Sequence, residues 1–154
     1  MRARTVPRKK SLREIDRTNL RPLPMSEEDW KDFAHGVRLF NARKFWHAHE
    51  AWEEVWKRRP EESRVFLQGL ILTAAAYHSL LVKRTTTGAL NNFAKALARL
   101  ELFEPQFMGV RVTPLVRAIM NWRDRLSAKE AEVLESPNLN ELPTVEWKRA
   151  KLTF

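Results

Sequence analysis

The chain has 154 residues, 44% of them hydrophobic and 31% charged. That length suits one ordinary domain, which at this size buries roughly 70% of its unfolded surface. The absence of cysteine excludes disulfides, thiolate metal ligands, cysteine nucleophiles and iron–sulfur clusters, and only four glycines are present. The net charge of +9 is unevenly spread. Residues 1–25 carry eight basic side chains against Glu14 and Asp16, a charge of +6. Residues 26–154 carry only +3, so the high pI does not mark the folded body as nucleic-acid binding.

Residues 1–25, with Pro7, Pro22 and Pro24 and no apolar periodicity, read as a basic, largely disordered arm. They hold no apolar stretch of the kind a secretory signal needs, and the expected location is cytoplasmic. Residues 26–135 read as a helical bundle. Ser26 offers an N-cap, with Glu27, Glu28 and Asp29 placed where a helix N-terminus favours negative charge. The first helix should span about residues 27–41 and bury Trp30, Phe33, Val37 and Phe40, leaving His35 in solvent. The second, about 43–58, gathers Phe45, Ala48, His49, Trp52, Val55 and Trp56 on one side, with Glu53 at its border and His47, Glu50 and Glu54 outward. Pro60 closes it.

The third helix, about 62–83, is apolar nearly all round, as a central helix should be, with a strip of small residues at Gly69, Thr73 and Ala76. Its uncharged run from Val65 to Val82 approaches the length of a membrane span, but polar residues interrupt it and no interfacial tryptophan flanks it. A buried core helix, with no membrane partner, is expected. A fourth helix, about 87–104, carries a stripe from Ala89 to Phe103. A loop at 105–109 follows, then a fifth helix capped by Thr113 with Pro114 at its first position. A short sixth helix is expected at 128–135. Residues 136–154 read as an irregular tail able to dock through Leu142, Val145, Trp147 and Leu152. No alternating strand is legible, no 34-residue repeat is found, and the fold class is all-α: five to six helices and no sheet.

The chemistry concentrates on the second helix. His49, Glu53 and Trp56 stand at i, i+4 and i+7, which stacks them along one line of a helix. Imidazole and carboxylate can then reach the same point. The plainest use is a structural hydrogen bond that satisfies a core histidine. A second is a metal site, as in H-E-x-x-H helices, where His49 and Glu53 joined by His78 would hold a divalent ion such as zinc or iron. A third is acid–base chemistry, with Glu53 orienting the His49 ring. Trp52, Trp56 and Gln68 would line the site, and a small ligand is the expected partner. No nucleophile motif, phosphate-cradling glycine loop or cofactor fingerprint appears, so enzymatic activity is left open. In the alternative reading the His–Glu pair is purely structural and the chain is an interaction protein. Its basic arm would then contact nucleic acid or an acidic partner through salt-sensitive, sequence-blind charge.

Phe40-Asn41, the run Phe45 to Trp56, Phe66 to Leu72, Ala74 to His78 and Gly88-Ala89 together resemble the bacterial and archaeal domain-of-unknown-function family 309 over about residues 30–104. The resemblance implies a compact helical bundle and a signature H-x-x-x-E-x-x-W, carried here by His49, Glu53 and Trp56. It implies metal binding as one use of that signature, and no established reaction. His47 stands where members often carry an acidic residue.

Overall fold

A computed structural model describes residues 6–8 and 11–149. Six α-helices dominate: α1 Glu27–Asn41, α2 Phe45–Arg58, α3 Arg64–His78, α4 Thr86–Leu100, α5 Val112–Ala128 and α6 Glu130–Glu135. α3 is the centre, with α2 against one side and α4 against the other. α1 packs on α2, and α5 on α4.

Local chemistry explains most of these boundaries. Ser26 and Asp29 form a reciprocal capping box at the start of α1, with bonds of 3.0 and 3.1 Å. Phe33, Val37 and Phe40 are buried on its inner face, while Trp30 is only partly covered. α1 and α2 approach closely because Gly36 has no side chain. A Cβ there would lie 2.3 Å from the Trp52 indole nitrogen. That nitrogen donates to the Phe33 carbonyl at 3.2 Å. The small strip on α3 works in the same way, with Gly69 admitting Leu100 of α4. The stretch Arg64–Lys83 is long and apolar enough to cross a membrane by composition, with a mean hydropathy of 1.7, and 72% of it is buried inside the bundle.

Several expectations are corrected. The third helix does not run regularly to residue 83: α3 ends at His78 and Ser79–Lys83 form a π-turn. Arg84 then adopts a left-handed conformation, φ 56°, which stops the helix. The fourth helix ends at Leu100, and Glu101–Phe103 tighten into a 3-10 turn. α5 starts at Val112, before Thr113, and has no side-chain cap. The expectation of no sheet also fails locally. Gln106–Phe107 and Val110–Arg111 form a two-stranded antiparallel hairpin around Met108 and Gly109. Both turn residues have positive φ, 50° and 82°, as a tight two-residue hairpin turn demands. Met-Gly lacks the usual asparagine or aspartate, so the sequence hides the turn.

Within the described residues, segments flanking the bundle on both sides dock against it. Leu12–Glu14 and Arg17–Asn19 form 3-10 turns, and Ile15 and Leu23 are buried against the bundle. Two apolar anchors suffice to hold a charged segment without any helical periodicity. The charges of Arg2, Arg4, Lys9 and Lys10 belong to residues outside those described. At the other end Leu142 and Val145 are buried. Asn41 brackets the Val145 backbone with bonds of 2.7 and 3.1 Å. The Trp147 indole stacks on Trp30 and donates to the Met108 carbonyl. Leu152 lies outside the described residues.

Candidate functional site

α2 divides into two faces that the apolar pattern merges. Phe45, Ala48, Trp52 and Val55 are buried in the core. His49, Glu53 and Trp56 sit one step round the helix and are half-buried. They meet Gln68, Ile71 and Leu72 of α3 along an open groove of about 250 Å³. Four of the expected site residues (His49, Glu53, Trp56 and Gln68) therefore converge on one concavity.

The His49 Nδ1 lies 3.5 Å from Glu53 Oε2. The pair is in Coulombic contact, yet Nδ1 is buried and makes no hydrogen bond. His49 is 18% exposed and Glu53 37%, so the imidazole is the sheltered member. Burial pushes the His49 pKa below the ordinary imidazole value, more than Glu53 and Glu50 pull it back up, and His78 adds to the lowering. The ring is thus held toward its neutral form. With Nδ1 turned toward Glu53, Nε2 is the ring atom left to meet a ligand. Lys57 lies 3.8 Å from the other Glu53 oxygen and offsets part of its charge.

Trp46, which the sequence does not mark as a site residue, stacks on the His49 ring at 4.5 Å and 8° between planes. It also meets the His78 ring at 5.2 Å. Its signal was present as the i−3 neighbour of His49, hidden by its 43% exposure at the start of the helix. Ile71 and Leu72 were masked inside a continuous apolar run.

Two site expectations are not met. Trp52 does not line the groove: it is wholly buried, tilted against Phe33 and Phe40. The three-ligand metal set is not assembled either. Among the described residues no group of three or more His, Asp or Glu could hold a metal ion. His78 packs against the Trp46 indole, and Glu53 is occupied by His49 and Lys57. Two protein donors do not make the three or four that a zinc or iron site requires. His47 is exposed and 3.6 Å from Glu50, a surface pair as expected.

Residues 33–92 match the family model described as Domain of unknown function (DUF309). Over that stretch the chain is similar to the DUF309 family. The match runs from Phe33 in α1 to Asn92 in α4, narrower than the resemblance, and contains every residue lining the groove. No curated protein matches the chain. The DUF309 stretch brings a description without a reaction, so its chemistry must come from the groove itself.

The groove abuts a second, smaller void of about 30 Å³, and Trp56 and Gln68 line both. Arg64 covers the Trp56 ring at 4.0 Å and donates to the carbonyls of Pro7 at 3.0 Å and Arg8 at 2.6 Å. The N-terminal segment is thereby held against this second void, which Arg8 and Ile15 also line.

Proposed function

We infer that this protein binds a small, partly apolar molecule in the α2–α3 groove, with His49 as a polar contact and Glu53 beside its ring. The observation that carries this is the sheltered His49–Glu53 pair at an open concavity, with Nδ1 lacking the hydrogen bond that a purely structural histidine would have. Trp56, Ile71 and Leu72 supply apolar walls. A volume of about 250 Å³ lies at the lower edge of ligand pockets and suits a fragment-sized molecule. The neutral ring would meet the ligand through Nε2, with the Glu53 carboxylate on its Nδ1 side.

The test is a panel of small aromatic fragments titrated into ¹⁵N-labelled protein, following the His49 ring and the Trp56 indole N–H. Saturable shifts at both, lost in His49→Ala with the fold intact, are expected. Binders that leave His49 and Trp56 unshifted would remove the reading. Calorimetric titration with Zn²⁺ guards the other side: a stoichiometric site abolished by His49→Ala would replace the small molecule with a metal.

A further inference from the structure

Arg58 and Arg99 sit in contrasting company. Arg58 lies among carboxylates, 2.8 Å from Asp29, 2.7 Å from Asp32 and 3.6 Å from Glu28. Arg99 on α4 is only 9% exposed and pairs with no carboxylate among the described residues. Its acceptors are neutral: Nε donates to Gln68 Oε1 at 3.0 Å and Nη1 to the Lys95 carbonyl at 2.9 Å. A buried cation without a counter-charge is expensive, and burial lowers its pKa. The charge therefore projects onto whatever lies beside it.

Gln68 is what lies beside it, and the arginine decides how that amide is turned. A guanidinium only donates, so the Gln68 oxygen must face Arg99 and the amide NH₂ must face the other way. That NH₂ makes no hydrogen bond among the described residues, and Gln68 lines the groove. The Gln68 NH₂ is thus an oriented donor, polarised from behind by a cation, on a residue that lines both the groove and the smaller void. Arg64, four residues earlier on α3, is also buried; among the described residues its hydrogen bonds go to the carbonyls of Trp56, Pro7 and Arg8, with Glu61 near enough to act on its charge. The acid that faces the groove, Glu53, is shared between His49 and Lys57.

We propose that the groove ligand is an organic anion, whose carboxylate or equivalent acidic group sits on the Gln68 amide backed by Arg99. Its apolar body lies against Trp56, Ile71 and Leu72. This rests on the small-molecule reading above and gives that ligand its chemical class. Arg99 acts through Gln68 as a positioning residue, and it lies outside the DUF309 match.

Benzoate and benzamide are equal in shape and differ in charge, so the pair separates the class from the groove. In the full chain, benzoate should shift the Trp56 indole N–H saturably and bind at least about tenfold more tightly than benzamide, the scale of one charge-assisted hydrogen bond. Gln68→Glu would give Arg99 an internal carboxylate and remove the NH₂. It should abolish the benzoate preference while leaving the melting curve no lower. Should that variant fail to fold, Arg99→Gln removes the cation and carries the same expectation. Equal binding of both probes to wild type overturns the anion and leaves the groove reading standing. Benzoate binding unchanged in the folded variant overturns the role of Gln68 and Arg99. No shift of Trp56 by either probe, up to about the tens of millimolar where fragments bind, overturns both.

Discussion

Trp52 and Trp56 stand one turn apart on the same helix and do opposite things. Trp52 is wholly buried, its nitrogen bonded to the Phe33 carbonyl and its ring filling the space that Gly36 leaves open. Trp56 is half-exposed, covered on one side by the Arg64 guanidinium and open on the other to the groove. One tryptophan joins two helices, and the other walls a site. A rotation of 40° between positions i and i+4 is enough to separate them. The lesson is that an apolar helix face has an edge, and residues at the edge carry function more readily than those at the centre.

The largest effect should come from breaking the core member. Trp52→Ala should cost about 3–5 kcal/mol through lost burial and the cavity left behind. That is a large share of a typical 5–15 kcal/mol total, and urea denaturation would show a collapsed midpoint. Gly36→Ala tests the same contact from the other helix. Its Cβ would collide with a rigid indole, and overpacking should cost about 1–3 kcal/mol. Melting curves that leave Gly36→Ala as stable as wild type would mean the α1–α2 approach is looser than drawn.

Trp56→Ala should be milder, about 1–2 kcal/mol, since it gives up half-buried area and one cation–π contact with Arg64. The ranking Trp52 above Trp56 is the sharp point. Equal losses would return Trp56 to the core, where the apolar pattern alone had placed it.

The extent to which sequence anticipated structure follows the same division. The capping box at Ser26 and the inner face of α1 were legible because each depends on neighbours within a turn or two, and the strip at Gly69 because its small residues recur on one helix face although its partner Leu100 is distant in sequence. So was the alignment of His49, Glu53 and Trp56, which helical geometry fixes. What escaped depends on contacts distant in sequence or on backbone geometry. Arg99 reaches Gln68 across 31 residues. The hairpin at Met108-Gly109 lacks its usual residue type, and the docking of Ile15 and Leu23 has no periodicity to announce it. His78 illustrates a third kind of failure. It was counted as a ligand because of its residue type, and an indole ring stands against it instead.

Proton linkage should separate the groove face from the core face more gently. Burial lowers the pKa of both His49 and His78 in the folded chain. The unfolded chain therefore takes up these protons first as pH falls. Their contribution to stability is present above the ordinary value of 6.5 and is lost as pH drops through that value toward the lower folded ones. Urea midpoints compared on either side of about pH 6.5 should fall on the acid side, and His49→Gln should flatten that slope. A slope unchanged by the substitution would show that His49 does not titrate as an abnormally sheltered ring.

The smallest expected effect is the most discriminating. A glutamate that satisfied a histidine in a closed core would lose about 1–3 kcal/mol on conversion to glutamine, because a buried partner would be left short. Glu53 is 37% exposed, at Coulombic distance from His49 without a hydrogen bond, and shared with an exposed Lys57. Such partly exposed pairs are worth little in water. Glu53→Gln should therefore change the melting temperature only slightly, with a cost below about 1 kcal/mol. Its signature belongs in the titration. Glu53 is the larger of the two acidic influences holding the His49 pKa up against burial. Removing its charge should push the His49 midpoint further down. A large loss of stability with no movement of the His49 midpoint would reverse the assignment, making the pair a piece of scaffold.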